Sequence, residues 1–340
     1  MAQAYAEETG HDRDEPGPAR SRARRLIDGW RGRGVWRRGV IVAALAVVMA
    51  LLMILHAQIP NDVGNLGSLL ETFLPWIGMV GIPMLLACAL IRRSATALVA
   101  LLLPSIVWLN LFGGLLTSKS GSGGDLTVVT HNVNADNSDP AGTAKDVAAS
   151  GAQVVALEEL TSGALPAYEK TLRSAYPHHA VKGTVGLWSK YPLKDAQAVD
   201  IKMGWPRAMR ATVVAPKGEV AVYVAHLPSV RVKFNAGFTA GQRDDSADAL
   251  GAAISAEQLD KVILLGDLNG TMNDRALAPV TSQLRSAQGA AGDGFGFSWP
   301  ASFPMARIDQ IMVRGVDPVS AWTLPDTGSD HLPVAASVNL

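Results

Sequence analysis

Residues 264–271 read LLGDLNGT. The apolar run from Val262 to Leu265 stops at Gly266, Asp267 and Asn269 follow two apart, and Gly270 comes next. Taken alone, Asp, Asn and Gly in this order make a turn. Taken as the end of a buried strand, the same residues hold a carboxylate beside a carboxamide where a chain leaves a sheet. The choice depends on how the other strands of the chain end.

Short apolar runs at 126–130, 153–157, 185–189, 208–214, 220–227, 261–265, 307–313 and 333–338 read as strands. Helical patterns fit around 141–150, 162–175, 242–258 and 273–284. Many strands with a few helices in one stretch predict an α/β (α+β) domain over 125–340, with two sheets face to face and helices outside. LTVVT runs into His131 and Asn132, QVVAL into Glu158 and Glu159, VAVYVA into His226, and KVILL into Asp267 and Asn269. RIDQIMV carries Asp309, and GSDHLPV sets Asp330 beside His331 ahead of the last strand. Each has a plain structural explanation by itself. Together six strands carry ionisable or metal-capable groups at or near their ends, which is costly beside a buried strand unless the groups are paired or metal-bound. Their oxygen donors suit Mg²⁺, a hard cation.

The ordered pieces THNVN, ALEEL, GLWSKYPL, VAHLP, GDLNGT, RIDQIMV and GSDHLPV resemble the endonuclease/exonuclease/phosphatase superfamily over about 125–340. The resemblance implies a DNase I-like four-layered αββα sandwich and metal-assisted hydrolysis of a phosphoric ester or anhydride. It implies Mg²⁺, with Mn²⁺ as the alternative, held by Glu159 with Asn132 beside it and Asp330 contributing. Asp267 would orient or deprotonate the attacking water, and Asn269 would donate to a phosphoryl oxygen. His331 would contact the phosphate or transfer a proton, with Asp309 holding its ring, and His226 would stabilise charge or protonate the leaving oxygen. The division of proton-transfer roles among Asp267, His226 and His331 stays open. Glu158 departs from the family's frequent Gln and is expected either behind the metal or facing solvent. Arg210 and Arg243 are candidate phosphate contacts, with structural ion pairs as the alternative.

Upstream the pattern is different. Segments 39–57, 73–91 and 95–116 contain no Asp, Glu, Lys or Arg. Each approaches the roughly 20 apolar residues that cross a bilayer, so three transmembrane helices are expected. Pro75, Pro83 and Pro104 are tolerable there. Eight arginines between Arg20 and Arg38 precede the first span, Arg92 and Arg93 separate the second and third, and the stretch 59–72 has no Lys or Arg. The positive-inside rule puts the N-terminus in the cytoplasm and the domain after residue 117 outside. The expected organisation is an Arg-rich disordered tail over 1–38, spans within 39–116, a flexible Gly/Ser linker over 117–124 and the domain over 125–340.

Composition bounds the partners. The 340 residues carry a formal net charge of zero, so nucleic acid is not the expected partner. A single cysteine, Cys88, excludes an intrachain disulfide and a cysteine-built metal site. Membrane attachment points to a lipid-linked phosphate as substrate. Phe234 and Phe238 beside Arg231 and Lys233, and the aromatic run 294–304, fit a bilayer interface or a core. The whole arrangement also resembles actinobacterial VanJ-type membrane proteins of teicoplanin resistance, which implies undecaprenyl pyrophosphate and a role in cell-wall carrier recycling. The alternatives are a phospholipase- or sphingomyelinase-like phosphodiesterase, a surface nuclease and an inactive sensor.

Overall fold

The computed structural model describes residue 30 and residues 33–61, 66–229 and 239–340. The arginines before Arg33 and the Phe234–Phe238 loop lie outside the described residues.

Three long helices, α1 (Val40–Ile54), α3 (Leu74–Arg92) and α4 (Ala95–Phe112), form the N-terminal bundle. A short helix, α2 (Leu66–Thr72), precedes α3 within the stretch 59–72 between the first two spans. Each long helix sits in a segment long and apolar enough to cross a membrane. The bundle is packed inside out relative to a soluble one. Ala43, Ala46, Ala50, Ala89 and Ala97 are buried, while Ile41, Ile91, Leu102 and Ile106 point outward. Small residues let the helices approach closely, and Gly78 makes room for the Trp108 indole, which a Cβ would meet at 2.0 Å. Arg93, at φ 49°, turns the chain from α3 to α4, and Ser94 caps α4 by accepting from the Ala97 N–H. At this end of the bundle the Ser94 hydroxyl also donates to the Arg38 carbonyl.

The domain holds two six-stranded sheets. One has the order β11 (Asp317–Thr323), β12 (Val334–Asn339), β1 (Leu126–Asn132), β2 (Val154–Glu158), β4 (Val185–Ser189), β3 (His178–Lys182). The other runs β5 (Leu193–Ala198), β6 (Ala208–Ala215), β7 (Gly218–Ala225), β8 (Val262–Asp267), β10 (Asp309–Arg314), β9 (Arg285–Ser286). Alternate residues of both sheets, among them Val128, Ala156, Leu187, Val222, Ile263 and Ile311, form the core between them. The helices α5 (Pro140–Ala149) and α6 (Leu165–Leu172) cover the outer face of the first sheet, and α7 (Thr239–Ser255) covers that of the second. This is the expected αββα sandwich.

The eight expected strands are all present. Four more, β3, β5, β9 and β11, are sheet-edge strands whose half-exposed residues make no apolar run. The expected helix over 273–284 is instead a 3-10 turn, Arg275–Leu277, and the single turn α8 (Ala278–Thr281), followed further on by α9 (Ala287–Ala291). Asp274 caps the 3-10 turn, and Pro279 restarts the chain at the head of α8. The 117–124 stretch, expected as a free linker, lies against the domain. Gly121 N–H donates to the Val319 carbonyl of edge strand β11 at 2.7 Å, and Ser337 Oγ donates to the Gly123 carbonyl at 2.8 Å. An edge strand leaves backbone groups unpaired, and this stretch takes them up.

Parallel pairing of β1 with β2 and of β7 with β8 brings four C-terminal strand ends to one end of the sandwich. Antiparallel β10 begins there, with Asp309 opposite Asp267, and β12 begins beside the end of β1.

Candidate active site

Asp267 stands at the centre. The chain reaches it through Gly266, whose φ of 146° carries β8 so close to β7 that a Cβ would lie 1.9 Å from the Ala225 carbonyl oxygen. Asp267 Oδ1 accepts from the Asn269 backbone N–H at 2.8 Å, which closes a turn of the kind LLGDLNGT suggests. Asp267 Oδ2 accepts from Asn132 Nδ2 at 3.0 Å and from Asn269 Nδ2 at 3.2 Å. The stretch is therefore both a turn and a functional strand end, because the carboxylate that closes the turn also faces the cleft.

The Asn132 amide bridges the two sheets: Nδ2 also donates to Glu159 Oε1 at 3.2 Å, and Oδ1 accepts from the Asn134 N–H at 3.0 Å. Glu159 Oε2 accepts from the Ala135 N–H at 2.9 Å. Glu159 itself has φ 61°, uncommon for a residue with a Cβ and concentrated in structures at functional positions. His226 Nε2 lies 3.6 Å from Glu159 Oε1 and 3.7 Å from Asp267 Oδ2. On the opposite side His331 Nδ1 is 2.8 Å from Asp309 Oδ2, and Ser298 Oγ donates to the same oxygen. Asp309 is thus in hydrogen-bond contact with the His331 ring, and His331 Nε2 faces Asp267 Oδ2 at 3.9 Å.

Burial sets the protonation of these groups. Desolvation, then the neighbouring Asp309 charge, raises the Asp267 carboxyl to about 7. Burial works to lower the His331 pKa, but Asp309 and Asp267 overcome it and raise it to about 10. His226 is pushed well down by burial and by Arg207. The site therefore combines a carboxyl titrating near neutrality, a cationic imidazole and a neutral one, three states useful for moving protons around a phosphate. Glu158 faces neither solvent nor the cleft. It is fully buried, accepts from Thr130 Oγ1 at 2.8 Å and has its pKa raised well above the usual range by desolvation.

The cleft above these groups has a volume of about 490 Å³. Glu159, His226, Asp267, Asn269, Asp330 and His331 line it, so most of the expected residues meet in one place. The two arginines do not. Arg210 makes a two-bond ion pair with Glu257 at 2.9 and 3.0 Å. Arg243 is buried against Asp274 and donates to the Asn269 carbonyl at 3.0 Å and to Ser68 Oγ at 2.8 Å. Both are structural, and Arg243 supports the Asp267–Asn269 turn from behind. The cation that lines the cleft is Arg207, which sequence reasoning passed over. Its signal was its place just before β6, the strand paired with the one leading to His226.

The donor set fits a hard divalent cation. Glu159 and Asp267 converge on a single amide nitrogen, which does here what a cation does between two carboxylates. Asp267, Asp309 and His331 offer further ligand atoms within 4.8 Å of one another. Oxygen donors dominate and no thiolate is nearby, the pattern of Mg²⁺ or Mn²⁺.

Residues 129–331 match the model of the Endonuclease/Exonuclease/phosphatase family. The chain belongs to this family. Solved structures of the same fold include Staphylococcus aureus beta toxin, with 16% identity, TM-score 0.51 and coverage of 62% of this chain and 99% of the toxin. A humanized D. rerio TDP2 has 20% identity, TM-score 0.52 and coverage of 63% and 99%. The Bacteroides thetaiotaomicron mannosyl-6-phosphatase Bt3783 has 17% identity, TM-score 0.51 and coverage of 63% and 99%. Among curated proteins, none matches the chain in sequence. Family members are phosphoesterases that depend on divalent metals, and the buried acid–histidine cluster of this chain offers ligand atoms that could hold such an ion. Beyond the fold, this family member carries three membrane-length helices.

Proposed function

We propose that the chain is a membrane-anchored, metal-dependent phosphohydrolase working at the outer face of the membrane on a lipid-linked phosphate, with a polyprenyl pyrophosphate such as undecaprenyl pyrophosphate as the leading candidate. The observation that carries this reading is the composition of the cleft wall. Leu69, Thr72 and Phe73, from the segment joining the first two spans, face the acid–histidine cluster across the cleft. A phosphate held by the cluster would have its organic part against residues continuous with the bundle. The link to carrier recycling and teicoplanin resistance rests on the resemblance to VanJ-type proteins.

The seam between bundle and domain supports the orientation. Trp76 Nε1 donates to the Met305 carbonyl at 2.8 Å, Arg275 donates to the Ala57 carbonyl at 2.7 Å, and Phe295 packs on Trp108 and Phe112. These contacts involve the end of α1, the start of α3 and the end of α4. Arg38, Arg92 and Arg93 lie at the opposite end, which the positive-inside rule assigns to the cytoplasm. The aromatic run 294–304 contributes mainly to this seam, with Phe297 stacked on Trp76 at 5.9 Å.

In this reading Glu159 holds the metal, with Asn132 and Asp330 beside it. A divalent ion held there would supply Lewis-acid polarisation of the phosphoryl group and offset charge on the leaving group. Asp267, titrating near 7, accepts the proton of the attacking water. Asn269, expected to donate to a phosphoryl oxygen, instead directs its amide to the Leu227 carbonyl at 2.9 Å and to Asp267, and with its backbone N–H keeps that carboxylate in position. His331, charged and braced by Asp309, binds a phosphoryl oxygen, and Arg207 supplies a second positive charge. His226 stands beside Glu159 to stabilise the leaving oxygen.

The decisive assay is phosphate release from undecaprenyl pyrophosphate by the full-length protein in detergent, run with Asp267→Ala and with a plasmid-nicking assay. Mg²⁺-dependent release that the variant loses, without nicking, is the expected result. Nicking without release, or turnover only of a phosphodiester lipid, would overturn the substrate and leave the site in place.

A further inference from the structure

Next to the catalytic cleft lies a second cavity, of about 320 Å³, between the end of α4 and the domain; Thr72 borders both. One wall is apolar, formed by Leu111, Phe112 and Leu115 at the end of the third span. The same cavity is lined by Phe295 and Phe297, stacked at 5.0 Å, and by Arg307 and Lys119.

Arg307 has no role in the chemistry above. It lies just ahead of β10 and is not among the residues that line the catalytic cleft. It is 9% exposed; one terminal nitrogen donates to the Phe295 carbonyl at 3.2 Å, and Nε has no partner. Among the described residues no carboxylate comes within ion-pair distance of it. Burial lowers its pKa to about 10, so it remains charged. Lys119 Nζ, at the rim, bonds only the Gly289 carbonyl, at 2.8 Å. A buried guanidinium without a counter-charge is costly, and a planar donor fork in that state is well made to receive a phosphate.

We propose that this cavity binds the phosphate headgroup of an anionic membrane lipid, with the phosphate between Arg307 and Lys119 and the chains along the Leu111–Leu115 side of the third span. The inference rests on the membrane reading and not on catalysis, so it can fail while the catalytic assignment stands. A lipid fits better than free phosphate because the cations share the cavity with apolar residues that continue into a membrane-length helix. A lipid here would also bridge the seam and steady the wall of the catalytic cleft through Thr72.

The test is native mass spectrometry and thermal melting of the full-length protein in neutral detergent. The probes are dioleoylphosphatidylglycerol, dioleoylphosphatidylcholine and inorganic phosphate. We expect phosphatidylglycerol to be retained one-to-one in preference to phosphatidylcholine. Arg307→Gln should weaken it about tenfold, the effect of losing one charge-assisted hydrogen bond. Lys119→Gln should weaken it by a smaller factor, and Arg92→Gln, at the other end of the bundle, should leave it unchanged. If inorganic phosphate gives the same Arg307-dependent shift and phosphatidylglycerol does not, the anion site stands and the lipid is overturned. Equal retention of both lipids, or phosphatidylglycerol binding untouched in a folded Arg307→Gln, overturns the proposal. If Arg307→Gln does not fold, Lys119→Gln and Arg307→Lys decide. Unaltered binding in the first, or loss of the preference in a folded second, would count against the site.

Discussion

Asp267 is constrained from three directions: by the turn it closes with Asn269, by the Asn132 amide from the other sheet, and by the glycine before it. Its removal is therefore expected to separate chemistry from folding. Asp267→Ala should lower phosphate release by about a thousandfold or more, the scale of a lost catalytic base and its positioning, while the circular dichroism spectrum and melting temperature stay near wild type. Activity within a few-fold of wild type in a folded variant would sink the assignment. Gly266 is the opposite case. Its φ and the 1.9 Å approach of the Ala225 carbonyl leave no space for a methyl group, so Gly266→Ala should destabilise the domain by about 3 kcal/mol or more, read as a fall in melting temperature. Asp309→Asn keeps the shape beside His331 but removes the charge that raises its pKa. The alkaline limb of the pH–rate profile should then move to lower pH, since an imidazole without its carboxylate loses its proton earlier; an unmoved limb would show that the His331 charge is not used.

At the scale of elements, the short helix α2 and the turn after Asp274 form the joint that sets the cleft wall. Glu71 on α2 is fully buried, 3.3 Å from His56 Nδ1, with Asp274 and Arg275 facing it from the domain. Desolvation and then the Asp274 charge raise its carboxyl to about 8. A carboxyl whose folded pKa is raised stabilises most below its unfolded value of 4.5; that contribution is lost progressively as pH rises towards about 8. The melting temperature in detergent should accordingly fall across this window, and Glu71→Gln should flatten the fall. A variant with the wild-type slope would remove Glu71 as its source. Phe73→Ala, which opens the wall facing Asp267 and His331, should raise KM for a lipid pyrophosphate and leave a small water-soluble phosphoester unaffected; equal effects on both would detach the wall from lipid recognition.

For the whole molecule, the proposed function predicts a metal requirement and a sidedness. EDTA should silence the enzyme and Mg²⁺ or Mn²⁺ restore it, and activity surviving chelation would take the metal out of the mechanism. An alkaline phosphatase fused at the C-terminus should be active if the domain is outside. Much of this organisation was legible in the linear chain. A membrane span and a buried strand each impose a one-dimensional pattern, a long run without charge or a short run with a polar end, so three helices, eight strands and the acid–histidine set could all be read in order. Edge strands β3, β5, β9 and β11 left no such pattern, because they bury too little to need one. Arginines were legible as charges but not as partners. Whether Arg207, Arg210, Arg243 or Arg307 meets a carboxylate, a backbone carbonyl or an empty cavity depends on residues far away in sequence. The sequence alone thus determined the segment types and the chemical groups at the strand ends, since burial and local turn geometry act over a few neighbouring residues. The tertiary structure alone decided that α2 closes one side of the cleft and that Asn132 joins Asp267 to Glu159, because both depend on how the bundle and the two sheets pack across more than a hundred residues.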